Sequence, residues 1–186
     1  MTDVAASPDG CVYRIDASDT ITYVSPQWIR FAEANDAPDL TADAVVGKPI
    51  WAFINGADTQ SLYKELFRNL RSHPSEIIIP FRCDSPSIVR HMSLTLGSLR
   101  AKGIEFEGRI LQEEVRKPVA LLSKRAARSR ESIEICSLCR RLFVHGEWIE
   151  VTEAIVRRRL FNYDPVPRLE ETVCLECRTR LNARIQ

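Results

Sequence analysis

The sequence predicts a two-part α+β protein, and three observations support this prediction. Residues 10–115 give the order strand, strand, short helices, one longer helix and three further strands. The charge balance then changes, because residues 1–115 hold 11 basic and 16 acidic side chains whereas residues 116–186 hold 15 basic and 9 acidic ones. Four of the 6 cysteines also lie in the second part. Two compositional regimes in one chain indicate two modules.

The first elements are a hairpin and a helix. Two short runs rich in β-branched and aromatic residues, 12–15 and 21–24, flank an Asp- and Ser-rich turn, which is the pattern of two antiparallel strands. Ser25 followed by Pro26 is typical of a helix start, since Ser caps the first amides and Pro fits the first turn. A longer helix is predicted over 60–72, where apolar residues recur at helical spacing.

Three more strands are predicted after this helix. The segments 76–82, 89–99 and 104–115 are rich in strand-forming residues, and polar turns separate them. Strands that follow one another this closely usually pair as neighbours. With the hairpin they bring the first module to five strands.

Two CxxC pairs are the strongest chemical signal in the chain. Cys136 with Cys139 and Cys174 with Cys177 form the pattern CxxC-x34-CxxC. Each pair can direct two sulfurs at a common centre, and four thiolates complete the tetrahedral shell of a structural Zn²⁺ ion. The same residues are also compatible with an iron–sulfur cluster, or with a thiol redox switch that releases zinc on oxidation. We interpret them as zinc ligands and keep these alternatives open.

The rest of the second part is expected to fold around this site. Residues 116–131 are basic and rich in helix formers, which predicts a helical linker before a zinc module over 132–183. A hairpin turning at Gly146 and a helix over 153–161 capped by Thr152 are predicted between the cysteine pairs. A module of about 50 residues buries too little apolar surface to be stable alone, so the metal is expected to stabilise it.

Composition excludes several classes of protein. The chain is 45% hydrophobic and 27% charged, which is typical of a folded protein rather than a disordered one. It has no run of about 18 apolar residues and no secretory signal, so we expect a cytoplasmic location without membrane association. A phosphate-binding glycine loop, a GxSxG motif and a nucleophile beside a base are also missing from the sequence. We therefore expect no enzymatic activity.

The basic second part raises the question of nucleic-acid binding. Its arginines include the run Arg157 to Arg159, and zinc modules often contact phosphates through such patches. No base-reading motif accompanies them, and a run of charge is usually a solvated face. Nucleic-acid binding stays an alternative, and we favour a protein partner.

Two phrases in the first part carry a resemblance to a known family. Asp16 to Ser25 reads DASDTITYVS and Val45 to Ile54 reads VVGKPIWAFI. Together with the order of elements, these phrases resemble PAS sensor domains over roughly residues 10–115. The resemblance implies a five-stranded antiparallel sheet with helices on one face and a small cavity between them. It also implies that the domain senses a small ligand or a partner, and that a homodimer is plausible.

The resemblance also suggests where a ligand would bind. Flavin photoreceptors of this family carry an Asn-Cys-Arg phrase where this chain has Asn55-Gly56-Ala57-Asp58, so a flavin–cysteinyl photocycle is not expected. Neither histidine is interpreted as a haem ligand: His73 is expected to interact with the carbonyls at a helix end, and His91 is expected to face solvent. The ligand stays unknown. Six aromatic residues are candidates for lining a pocket, although such spacing more often indicates plain core: Trp28, Trp51, Phe53, Tyr63, Phe67 and Phe81.

The second part carries a resemblance of its own. The phrases ICSLCRRL, GEWIEV and VCLEC, within residues 133–181, resemble the zinc-finger-like tails of treble-clef or ribbon type found on bacterial PAS and other signalling proteins. This implies a signalling protein whose PAS-like domain passes a change to a zinc module that mediates interaction. The alternatives are a transcriptional regulator that binds DNA through the basic module, and a thiol-based redox sensor.

Overall fold

A computed structural model describes residues 10–160 and 164–185 of the chain. The amino-terminal residues 1–9, where no secretory signal is expected, lie outside the described residues, as does Phe161 at the end of the predicted helix 153–161. The first elements are β1 (Cys11–Ile15), β2 (Ile21–Val24), α1 (Pro26–Ala34), α2 (Ala42–Val45), α3 (Ala57–Ser72), β3 (Glu76–Arg82), β4 (Ile88–Ser98) and β5 (Ile104–Val115). They are followed by β6 (Arg128–Cys136), β7 (Leu142–Val144), β8 (Glu147–Ile149), α4 (Val151–Arg157), β9 (Val166–Thr172) and α5 (Leu175–Ile185).

The chain forms two compact units. The first unit contains the residues up to Ile54 together with Lys64–Ile79 and Ser93–Ile110. The second unit contains Asn55–Tyr63, Pro80–Met92 and the residues from Leu111 onward. The second unit is therefore assembled from three separate stretches of chain.

The first five strands form one antiparallel sheet in the order β2-β1-β5-β4-β3. This confirms the predicted α+β class and the five-stranded sheet. In the first unit, Phe67 of α3 packs edge-on against Phe106 of β5, with ring centroids 5.5 Å apart. Aromatic rings favour this edge-to-face arrangement, so the contact anchors the long helix.

The predicted hairpin and helix start are confirmed. β1 pairs antiparallel with β2, and the Ser25 hydroxyl accepts the amide of Trp28 at 3.1 Å, as an N-cap residue does. The same oxygen accepts the amide of Val12 at 3.0 Å, which ties the helix start to β1. Ser25 is buried, so both hydrogen bonds are sheltered from water.

A second sheet lies in the second unit, in the order β8-β7-β6-β9. The predicted hairpin at Gly146 is confirmed as β7 and β8, whereas β6 and β9 were not predicted. β6 and β9 run parallel, and their register brings Ile133 opposite Leu169. Ile133 and Ile135 are buried, so this sheet carries the core of the second unit.

The segment predicted as a basic helical linker differs from that prediction. Within residues 116–131 the helical content is one 3-10 turn at Ala120–Leu122, and Arg128 already begins β6. Leu121 and Leu122 are buried in the core of the second unit. The Arg128 guanidinium donates to the carbonyls of Leu121 and Ser123 at 2.9 and 2.7 Å. The apolar pair in this basic stretch therefore packs as core, and the arginine binds backbone instead of facing solvent.

Two helix boundaries also differ from the sequence prediction. α4 begins at Val151 with Glu150 at its N-cap, whereas Thr152 was predicted as the cap. Val151 is buried, so core packing sets this helix start rather than a capping hydroxyl. α3 begins at Ala57, three residues earlier than predicted, directly after Gly56, whose φ is +81°. Glycine adopts this left-handed conformation without a steric penalty.

Candidate metal centre

The first CxxC pair lies on a tight turn at the end of β6. The amide of Cys136 donates to the carbonyl of Arg141 at 2.9 Å, and the amide of Arg140 donates to the carbonyl of Cys136 at 2.9 Å. Arg140 has a φ of +60°, which reverses the chain after the second cysteine. The turn thereby places Cys136 and Cys139 on the same side.

The second CxxC pair lies at the start of α5. The Cys174 sulfur accepts the amide of Cys177 at 3.4 Å, so Cys174 occupies the N-cap position with sulfur in place of the usual oxygen. The amide of Arg178 donates to the carbonyl of Cys174 at 3.0 Å and begins the helical ladder. The amino end of a helix carries a partial positive charge, which favours a thiolate there.

The two pairs meet in a single cluster. The four sulfurs of Cys136, Cys139, Cys174 and Cys177 all lie within 4.8 Å of one another, and the Cys139 and Cys174 sulfurs are 3.9 Å apart. Four sulfurs held at ~2.3 Å from a tetrahedral zinc ion would be separated by about 3.8 Å. The donor set and its spacing therefore fit a metal ion bound by four cysteines.

Hydrogen bonds within the cluster separate the pKa values of its thiols. Hydrogen bonds from the side chains of Cys139 and Cys177 lower the pKa of Cys136. The interaction with Cys136 in turn raises the pKa of Cys139 to about 12 and also raises the pKa of Cys177. The amide of Cys174 donates to the Cys136 sulfur at 3.4 Å. Negative charge thus concentrates on Cys136, where a backbone amide stabilises it.

The arginines beside the cysteines are bound by carboxylates. Arg140 pairs with Glu171 at 3.1 Å, and Arg141 pairs with Glu150 at 3.3 Å and with Glu176 at 3.0 Å. The charge of Arg141 is therefore shared between Cys139 and these acids. Such outer contacts orient the turn that carries the sulfurs.

The start of α3 is hydrogen bonded to the first CxxC turn within the second unit. The hydroxyls of Thr59 and Ser137 are 2.7 Å apart, and Ser137 donates to the carbonyl of Thr172 at 3.0 Å. Thr172 donates from its hydroxyl to Asp58 at 2.7 Å. Thr59 is buried, so this network fixes the residue that lies between Cys136 and Cys139.

A cavity of about 270 Å³ in the second unit adjoins the cluster. Cys139 and Cys177 line it together with the side chains of Leu111 and Leu138, and Arg180 lies at its wall. Cys139 is partly exposed, whereas the other three cysteines of the cluster are buried. The cluster is therefore accessible from one side.

The six aromatic candidates for a sensor pocket are not all brought together. Within the first unit, the rings of Trp51 and Phe67 lie 5.4 Å apart, and Phe67 also lines a cavity of about 430 Å³ with four basic side chains. Trp28 is half-buried on α1 and Phe53 is exposed. In the second unit, desolvation raises the pKa of Tyr63 to about 12, and Phe81 lines the cavity beside Cys139. His73 and His91 are both exposed.

Sequence reasoning missed a buried carboxylate in the second unit. The Asp84 side chain is fully buried and binds Arg82 at 2.5 Å and Arg116 at 3.1 Å. Arg82 also reaches Glu150 at 2.6 Å, and Glu150 contacts Arg141 of the CxxC turn. The sequence signal was the triplet Arg82-Cys83-Asp84 at the end of β3, which places two opposite charges two residues apart.

The similarity of the chain to known proteins is limited in extent. No family model matches the chain, and no curated protein matches it. Among solved structures, the chain is similar to the PAS domain from Bordetella pertussis BvgS, with 19% sequence identity and a TM-score of 0.38 over 56% of this chain and 74% of that chain. Among the described residues, no helix has both the length and the apolar character needed to cross a bilayer.

Proposed function

We propose that the chain is a non-enzymatic signalling protein in which a PAS-like sensor domain is joined to a structural zinc module. The observation that carries the metal part is the cluster of four cysteine sulfurs within 4.8 Å of one another. The sensor part is supported by the five-stranded sheet and by the phrases at Asp16 to Ser25 and Val45 to Ile54. The proposed location is the cytoplasm.

Zinc would be held by all four cysteines of the cluster. A shell of four sulfurs leaves no position for water or substrate, so the ion would stabilise the fold without doing chemistry on a substrate. It would join the end of β6, through Cys136, to the start of α5, through Cys174. A turn and a helix start that each supply two cysteines support the proposed zinc finger of treble-clef or ribbon type. The ion would thereby close the second unit around its sheet.

The proposed output is contact with a protein partner or with a second copy of the chain. Nucleic-acid binding is not favoured, because several arginines of the module are already paired with acids. Arg157 contacts Glu147 and Glu153 at 2.7 and 2.6 Å. Arg141 contacts two further glutamates. Phosphates would have to displace these carboxylates, and that lowers the gain from counterion release.

Elemental analysis of the purified, tag-free chain together with an absorption spectrum tests the metal site. We expect about one zinc ion per chain and no visible absorption band. Cys174→Ser should lose the metal, whereas Cys83→Ser, which changes a cysteine outside the cluster, should keep it. Iron in the elemental analysis, or zinc retained by Cys174→Ser, would contradict the proposed centre.

A further inference from the structure

The four sulfurs of the proposed centre are shielded unequally. Cys136, Cys174 and Cys177 are buried, and Cys139 keeps part of its surface exposed. Cys139 also lines the cavity of about 270 Å³ in the second unit. Buried cysteines react slowly, whereas an accessible sulfur in a cationic environment is open to small oxidants. A solute therefore reaches the centre first at Cys139.

The lining of this cavity suits a small polar oxidant. Its apolar side is formed by Leu111 and Leu138. The guanidinium groups of Arg141 and Arg180 also line it, and each is paired with Glu176. A hydroperoxide is small enough to enter such a space. When its O–O bond breaks, a nearby guanidinium stabilises the departing hydroxide by a charge-assisted hydrogen bond.

We propose that Cys139 is the peroxide-reactive sulfur of the centre, and that its oxidation leads to a disulfide with Cys174 and to release of the metal. This inference rests on the zinc centre proposed above. Cys174 is the resolving residue because its sulfur lies 3.9 Å from that of Cys139. A disulfide requires approach to ~2.05 Å, which local movement of the CxxC turn can supply once the metal bond is lost.

The chemistry proceeds in two displacements. The Cys139 sulfur, which a bound metal would hold as a thiolate, attacks one oxygen of hydrogen peroxide, an S–O bond forms, the O–O bond breaks, and hydroxide leaves. The Cys174 thiolate then attacks the sulfenic sulfur, an S–S bond forms, the S–O bond breaks, and a second hydroxide leaves. The two sulfurs are oxidised by two electrons and the peroxide is reduced. Each hydroxide takes a proton from solvent and becomes water, and the sulfurs of Cys139 and Cys174 would no longer be available to hold a metal.

Oxidation of the zinc-loaded full chain tests the proposal. The chain carries Cys11→Ser and Cys83→Ser, so that the remaining thiols are those of the cluster. Hydrogen peroxide is added, zinc release is followed with a chromogenic chelator, and the disulfide is mapped by mass spectrometry of alkylated peptides. We expect one zinc ion released for each Cys139–Cys174 disulfide formed. First oxidation at another cysteine, or a different disulfide, would overturn the assignment.

A matched pair of variants tests the route of access. Leu111 lines the cavity and is 65% exposed, whereas Val115 on the same strand is 89% exposed and does not line it. Leu111→Trp should slow peroxide-driven zinc release about tenfold by filling the cavity, and Val115→Trp should leave the rate unchanged. Equal rates of zinc release in the two variants would contradict entry of the oxidant through this cavity.

Zinc content before oxidation separates the two proposals. A chain that binds no zinc contradicts the metal centre itself. A chain that binds zinc and retains it under peroxide contradicts only the role of Cys139. Leu111 and Val115 are both exposed, so neither substitution removes a core side chain and the zinc content of both variants should equal that of the parent chain.

Discussion

At the scale of single residues, backbone geometry determines which residue can precede α3. Gly56 has a φ of +81°, and a Cβ at this position would lie 2.1 Å from the carbonyl oxygen of Glu171 in β9. Both residues belong to the second unit. The position therefore requires glycine for two reasons, its left-handed backbone and the close approach of β9.

Replacement of this glycine should be costly, and the chain offers a control. Gly146 has a φ of +89°, and a Cβ added there would meet no atom of the described residues within 4 Å, so Gly146→Ala should cost about 1 kcal/mol for the backbone alone. Gly56→Ala should cost about 1–3 kcal/mol more, because the carbonyl of Glu171 must move. Urea unfolding of the two variants measures the difference, and equal losses would contradict the proposed approach of the two segments.

The desolvated phenol of the half-buried Tyr63 should make the fold sensitive to alkali. Desolvation raises its pKa from 10.0 to about 12 in the folded chain. Because the pKa is higher in the folded chain than in the unfolded one, the stability contributed by the neutral phenol is complete below pH 10. This stability is lost as the pH rises toward 12. The parent chain should lose about 2 kcal/mol of unfolding free energy over this interval, and Tyr63→Phe should not show this loss. Urea midpoints at pH 9 and pH 11 test this, and identical pH dependence in both proteins would refute it.

At the scale of elements, strands were predictable where alternation and turns were local. The hairpin β1–β2 and the strands β3 to β5 followed from runs bounded by polar turns. β6 and β9 escaped because their pairing joins segments far apart in sequence, and because β6 begins with polar residues. β9 also contains Pro167, which lowers strand propensity. It is tolerated there because β9 is an edge strand in the order β8-β7-β6-β9.

The 3-10 turn at Ala120–Leu122 shows the same limit in energetic terms. Leu121 and Leu122 lie beside a basic run in the sequence, so their burial was not predicted. They pack in the core formed with the second sheet. Leu121→Ala should destabilise the protein by about 2–4 kcal/mol, because it leaves a cavity at a buried position. Leu175→Ala, at a side chain that is 76% exposed, should stay within about 0.5 kcal/mol of the parent. Thermal unfolding measures the stability of both variants. If Leu121→Ala is as stable as the parent chain, the interpretation of residues 116–131 as a linker would be favoured again.

At the scale of the whole molecule, the predicted and observed divisions of the chain rest on different information. The boundary at residue 116 was predicted from charge and cysteine content, and the domain ranges built on it stay predictions. The compact second unit also contains Asn55–Tyr63 and Pro80–Met92. Contacts such as the hydrogen bond between Thr59 and Ser137 link these segments to the rest of the second unit. Composition and periodicity do not predict such long-range pairs. The four cysteines were recognisable in advance because the spacing of a metal site is written locally in each pair.

Removal of the metal should therefore affect the two units differently. We expect that chelation speeds amide exchange in β6 and β9, which belong to the unit with the four cysteines, and leaves β1 and β2 unchanged. Hydrogen–deuterium exchange followed by mass spectrometry measures this. Uniform acceleration along the chain would argue against a local role for the metal, and unchanged β6 and β9 would argue against a structural one.

Because the second unit is built from three stretches of chain, its parts leave the ribosome at different times during synthesis. Asn55–Tyr63 and Pro80–Met92 emerge well before Cys174 and Cys177 are made. At synthesis rates of about 5–20 residues per second, these early segments wait for seconds without their final neighbours. The nascent chain can bring all four sulfurs together only after Cys177 has left the exit tunnel, so metal capture would follow the emergence of the second cysteine pair.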